Sequence, residues 1–187
     1  MKQSIYMLFI MFQIMVCNPI CGQTENTDSL LKIAIQWEVY ADSCMKIGDV
    51  YSALTAYSKS EKIRKNAPMT KYLYLEYAFL LDRLAYCYSE TNNYIEAVRS
   101  GTEAMDIYRK ILGTEHLDYA FSLNILAYYN SLFGNYTEAI KLGTEAMEIH
   151  KKVLGVENPD YLLSLSILAS YYSDLGNYAE AIKLAVL

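Results

Sequence analysis

The sequence has few residues that interrupt helices, with only 3 Pro and 8 Gly among 187 residues. So few turn-forming residues favour long helices with short connections, and therefore an all-α protein. Hydrophobic residues make up 53% of the chain, which excludes general disorder. Tyrosine is abundant instead, with 19 copies.

Basic residues are also scarce, since 16 Lys and Arg face 21 Asp and Glu and give a net charge of -5. No basic run is longer than pairs such as Lys151-Lys152. Binding to nucleic acid draws on clustered positive charge that releases counterions from phosphate. The sequence therefore predicts no nucleic-acid partner.

Residues that carry catalytic or metal chemistry are few. His116 lies in a predicted loop and His150 late in a predicted helix, and neither has a Cys or a second His within a turn, so both are interpreted as surface histidines. Gly-rich phosphate loops, HExxH and nucleophile elbows are absent from the sequence. We expect no enzyme, no cofactor, no metal site and no catalytic residue.

The N-terminus resembles an export signal, with Lys2 followed by an apolar stretch over residues 5–16. Twelve residues are too few to cross a bilayer, which takes about 20 in a helix, so no stable span is expected after removal of residues 1–22. The mature chain would begin at Gln23 and be periplasmic or part of the cell envelope. Val16 and Ile20 disfavour a lipid anchor at Cys17 or Cys21, because bacterial lipoproteins carry a small residue before the modified cysteine. Cys44 and Cys87, within apolar helical patterns, are predicted to be buried thiols rather than a disulfide.

The chain repeats itself with a period of 42 residues, because residues 77–118, 119–160 and 161–187 align without a gap. A more diverged unit precedes them, and equivalent turns begin at positions 48, 92, 134 and 176. We predict a linker over 23–29 and a repeat domain over 30–187, with units at about 30–71, 77–118, 119–160 and 161–187, the last truncated.

Each unit is predicted to form two helices. Gly134 and Gly176 can adopt the left-handed conformation that ends a helix, and the following asparagines can cap the next one. Glu138 and Glu180 would complete capping boxes. In the unit 119–160 the first helix is expected over about 120–133 and the second over about 136–154.

These patterns resemble the tetratricopeptide repeat family, in which a bulky residue, Leu and a small residue on the first helix precede Gly, Tyr and Ala around the turn. The matching residues are Trp37, Tyr40 and Ala41; Leu84, Ala85 and Tyr88; Leu126, Ala127, Gly134, Tyr136 and Ala139; and Leu168, Ala169, Tyr172, Gly176, Tyr178 and Ala181. The 42-residue period is similar to that of the kinesin-light-chain-like branch. The resemblance implies a right-handed α-solenoid of antiparallel helix pairs that acts as a protein-interaction scaffold, as in bacterial envelope or signalling proteins.

By this resemblance, the first helices of successive units line a concave groove for a peptide or a partner protein. The candidate groove residues follow i, i+3, i+7 within a unit; they are Glu38, Asp42, Phe79, Asp82, Tyr86, Phe121, Asn124, Tyr128, Ser166 and Ser170. Their carboxylates would favour a basic ligand. A plain solvent-facing surface is the alternative interpretation of the same residues.

Two other functions stay open. The chain could be the regulatory or targeting part of a longer enzyme, with a caspase-like or kinase domain beyond residue 187. It could also be a structural envelope protein that associates with itself through its apolar C-terminal end.

Overall fold

The computed structural model describes residues 27–67 and 70–186. The export signal predicted over residues 1–22 lies outside the described residues. Within them, every regular element is an α-helix. The helices are α1 (Thr27–Lys46), α2 (Val50–Arg64), α3 (Lys71–Glu90), α4 (Tyr94–Leu112), α5 (Leu117–Leu132), α6 (Tyr136–Leu154), α7 (Pro159–Asp174) and α8 (Tyr178–Ala185).

The described residues divide into two compact units, one that ends at residue 73 and one that begins at residue 74. In the first unit α1 packs against α2; in the second, α4 packs against α5, α5 against α6, α6 against α7 and α7 against α8. Packing between consecutive helices is how helix-pair repeats build a core that no single pair could bury. The fold class is therefore the predicted all-α solenoid. We call α1, α3, α5 and α7 the A helices, and α2, α4, α6 and α8 the B helices.

The turns within the pairs follow the predicted chemistry in part. Gly134 and Gly176 have φ of +84°, and Asn92 adopts φ of +59° where glycine would fit without strain. Asn177 accepts a hydrogen bond from the Glu180 amide, as expected of a cap.

Asn135 departs from this pattern, and the expected cap is wrong there. Its side chain makes no cap hydrogen bond and donates to Asn130 Oδ1 instead. The glutamates predicted to close capping boxes pair with the next turn of their own helices, Glu138 with Lys141 and Glu180 with Lys183.

Equivalent residues of successive repeat units are buried in the core. Trp37, Leu81, Leu123 and Leu165 occupy equivalent positions of the four A helices, and all four are buried. Helix α6 spans the predicted residues 136–154, whereas α5 begins three residues before its predicted start because His116 caps it by accepting from the Asp118 amide. Gly143 faces Leu168 and Tyr171 of α7, so its small size allows close approach of the following pair rather than of its own.

Helix α8 is the shortest, and none of its residues is buried. Cys44 and Cys87 are buried thiols that are not joined in a disulfide, and burial raises the pKa of Cys87 to about 11. In the described part of the chain, no helix combines the length and the apolar character that a bilayer crossing demands.

Candidate functional site

The candidate groove residues all lie on A helices, but they fall into two groups by exposure. Glu38, Asp42, Asp82 and Asn124 are partly buried, whereas the remaining six are exposed: Phe79, Tyr86, Phe121, Tyr128, Ser166 and Ser170. The i, i+3, i+7 spacing therefore defines a strip with a covered side and an open side.

The carboxylates of the first unit are bound by side chains of its B helix. Arg64 Nε donates to Glu38 Oε1 at 2.6 Å and its Nη2 donates to Oε2 at 3.1 Å. Ser60 donates to the same carboxylate, and Tyr57 donates to Asp42. Because Arg64 is buried, this two-pronged ion pair holds α1 against α2 rather than offering charge to a ligand.

Asp82 has the same role in the next pair. Its Oδ2 accepts a hydrogen bond of 3.0 Å from the Tyr108 hydroxyl of α4, while Oδ1 is buried and has no hydrogen-bond partner among the residues described. Burial raises the pKa of Asp82 to about 7, against the lowering effect of the Tyr108 hydrogen bond. The expectation that Asp82 is an exposed groove carboxylate is therefore wrong, because the B helix covers it.

The Arg64–Glu38 and Tyr108–Asp82 bonds occupy equivalent positions of the repeat. Arg64, Tyr108 and His150 are equivalent on the B helices, and Glu38, Asp82 and Asn124 are equivalent on the A helices. Each of the first three pairs thus has a large polar residue late in its B helix and a smaller polar residue at the equivalent position of its A helix.

His150 is not a surface residue, contrary to the sequence-based expectation. It is buried, and its Nδ1 lies 2.8 Å from Ser164 Oγ on α7. Burial lowers its pKa, opposed by the nearby Asp160. The helix that covers His150 belongs to the next unit, which periodicity within α6 alone does not reveal.

The open side of the strip is aromatic and recurs with the repeat. Phe79, Phe121 and Leu163 are equivalent residues on α3, α5 and α7, with 55%, 62% and 57% of their surface exposed. Tyr86 and Tyr128 form a second exposed pair of equivalent residues. Exposed apolar side chains repeated at one position of a solenoid are typical of a contact surface.

The exposed Tyr128 lies close to the buried Tyr129. The Tyr128 and Tyr129 rings are 5.8 Å apart between centroids, at an interplanar angle of 52°. Burial raises the pKa of Tyr129, and so do several nearby groups: Asp82, Tyr128, Cys87 and Tyr86. Burial likewise raises the pKa of Tyr171 to about 12, with a contribution from Tyr128.

Two further contacts were not anticipated from the sequence. The Tyr77 hydroxyl donates to Glu103 at 3.1 Å, and the Tyr119 hydroxyl donates to Glu145 at 2.7 Å. Both pairs are separated by 26 residues, so the recurrence of Tyr and Glu at this spacing is the signal that could have identified them. Next to the first pair lies a cleft of about 540 Å³ between the start of α3 and α4, in which Tyr74, Ile107 and Ile111 are apolar lining residues.

Among the residues described, no three His, Cys, Asp or Glu side chains cluster in a way that could hold a metal ion. Of the candidate groove residues, Glu38, Asp42 and Asp82 accept hydrogen bonds from the B helices, and the six exposed residues form a surface of aromatic rings and serine hydroxyls. Such a surface can bind by stacking, apolar contact and hydrogen bonding.

Comparisons with known proteins agree with the repeat pattern. The family model described as tetratricopeptide repeat matches residues 76–152 and 131–185. Among curated proteins, none matches the sequence.

Among solved structures, the chain is similar to the nearly identical TPR-like repeats of a putative kinesin light chain from Podosopora anserina. A single-substitution variant of that protein is 21% identical, with a TM-score of 0.77, over 95% of this chain and 81% of the other. The unsubstituted form is 24% identical, with a TM-score of 0.72, over 86% and 74%. MamA is 15% identical, with a TM-score of 0.60, over 84% and 80%.

Proposed function

Because this chain belongs to the tetratricopeptide repeat family, whose members generally act as non-catalytic scaffolds for other proteins, we propose that it holds a peptide or a partner protein on its A helices. The observation that supports this function best is the exposed strip Phe79, Phe121 and Leu163, repeated on three successive A helices. Tyr86 and Tyr128 extend the strip and add hydroxyl groups.

The test is to compare partner capture by the native chain and by a variant with Tyr86→Ala and Tyr128→Ala. Both tyrosines are exposed, so helicity should be unchanged while capture falls. Val153→Ala is the matched control, because Val153 is equally exposed but lies on the B helix α6. Equal capture by all three proteins would place the partner elsewhere on the molecule.

We further propose export, on the basis of the apolar stretch over residues 5–16 that follows Lys2. The mature protein then begins at Gln23. Intact mass of the protein from its native envelope checks this, and a mass that retains Met1 or shows an acylated cysteine would contradict it.

Self-association is a second candidate, supported by the exposed apolar residues of α8. Tyr178 and Ile182 of α8, and Val186 directly after it, are each largely exposed, whereas the equivalent residues Tyr136, Ile140 and Thr144 of α6 are partly buried. An apolar helix face of this kind is buried when a further helix packs on it.

A further inference from the structure

The charge of the A-helix strip differs from that of the chain as a whole. The middle segments of α5 and α7, residues 121–128 and 163–170, contain no charged residue, and the equivalent segment of α3 contains only Asp82 and Arg83. The exposed surfaces of the B helices α4 and α6, in contrast, carry many charges, such as Glu145, Glu148 and Lys152 on α6.

The two charged residues in the middle segment of α3 both interact with other groups of the protein. Asp82 is covered by α4 and accepts from Tyr108, and at a pKa of about 7 much of it is protonated at neutral pH. The guanidinium of Arg83 lies over the Phe79 ring, 4.6 Å from its centroid. The exposed side chains in the middle segments of α3, α5 and α7 are therefore aromatic rings, the aliphatic Leu163 and serine hydroxyls.

We propose that the partner segment held by this strip is apolar and carries no net charge where it touches the A helices. This inference rests on the proposed function and specifies the partner's chemistry. It replaces the preference for a basic ligand, because the carboxylates that suggested this preference are bound to Arg64, Tyr57 and Tyr108 of the B helices.

The exposed side chains of the strip also suit an apolar partner segment better than a basic one. A basic segment laid on this strip would lose hydration of its cations and gain no carboxylate in exchange, which makes binding unfavourable. An apolar segment would instead remove Phe79, Phe121 and Leu163 from water, and each fully buried side chain of this size is worth roughly tenfold in affinity or more. Tyr128, Ser166 and Ser170 would pair with its backbone groups.

The experiment is selection of a random displayed 12-residue peptide library on the immobilised protein, followed by fluorescence anisotropy of the enriched peptides. We expect enrichment of Leu, Ile, Phe, Trp and Tyr, with no gain of Lys and Arg over the input library. Affinity should change less than about twofold between 50 and 500 mM NaCl, because apolar contacts are not screened by salt.

Three variants test whether the enriched peptides bind to the strip. Phe79→Ser with Phe121→Ser should weaken binding by roughly a hundredfold, at unchanged helicity. Ile95→Ser, an equally exposed apolar residue on α4, should have no effect. Asp82→Asn should leave the affinity within about twofold, because a neutral amide replaces a carboxyl group that the ligand does not contact.

The possible results distinguish the apolar character of the partner from the proposed binding of a partner by the A helices. Enriched peptides rich in Lys and Arg, with affinity that falls in salt and on Asp82→Asn, would overturn the apolar partner while the A-helix strip remained the binding surface. Equal binding to the Phe79→Ser, Phe121→Ser variant would overturn the strip itself. A library with no enriched peptide would overturn both.

Discussion

Replacing Asp82 with asparagine tests whether the buried carboxyl group between α3 and α4 makes stability depend on pH. The folded pKa is about 7 and the ordinary value is 3.8, a difference of about three units. Each unit corresponds to about 1.4 kcal/mol, so the full difference is about 4 kcal/mol, and relaxation around the partly covered group reduces it to about 2 to 4 kcal/mol.

The sign follows from which state holds the proton more tightly. The folded pKa is raised, so folding favours the protonated carboxyl, and this contribution is fully present below pH 4 and is lost as the pH rises through 7. Asparagine cannot ionise and also stands at the equivalent position of the next unit, as Asn124. Relative to the native chain, Asp82→Asn should be more stable by about 2 to 4 kcal/mol at pH 8 and nearly equal at pH 4.

Urea unfolding followed by circular dichroism at 222 nm, from pH 4 to pH 8.5, measures this difference, since titration of the other carboxylates is common to both proteins. Asp106→Asn is the control, because Asp106 is exposed and paired only at the surface with Arg109, and it should change stability by less than about 1 kcal/mol at any pH. A stability difference between native and Asp82→Asn protein that stays constant across this range would refute the argument.

Further predictions concern the packing of the pairs. Ala139→Leu should lower the free energy of unfolding by about 1 to 3 kcal/mol, because Ala139 is fully buried and a larger side chain there would overpack the core; urea unfolding measures this. Gly143→Ala should raise the free energy of unfolding by about 0.5 to 1 kcal/mol, because an added Cβ would meet Leu168 at an ordinary 3.5 Å and alanine is the better helix former. A loss of stability in the same assay would contradict this, because it would show that the space between α6 and α7 does not admit a methyl group. Replacing residues 185–187 with a copy of residues 143–154 should raise the melting temperature and reduce concentration-dependent light scattering, because the longer α8 would cover α7. A chain that is already monomeric and gains no stability would contradict the self-association candidate.

The helix boundaries could be predicted because their signals are local. A glycine or asparagine in the left-handed conformation, followed by a capping asparagine, ends one helix and begins the next whatever packs around it, as at Gly176 and Asn177. The 42-residue repeat then assigned core positions such as Leu123 and Leu165, because equivalent residues of a repeat meet equivalent neighbours.

The covered and open sides of the A helices were decided only by the tertiary structure. Helical spacing places Asp82 and Tyr86 on one face, but it does not reveal that Tyr108, 26 residues later, closes over the first and leaves the second exposed. The same holds for His150, which reads as a surface residue within α6 and is buried once α7 packs against it. Periodicity within a helix reports which side chains share a face, whereas burial, pKa and availability to a partner depend on the helix that packs on that face, and this helix is distant in sequence.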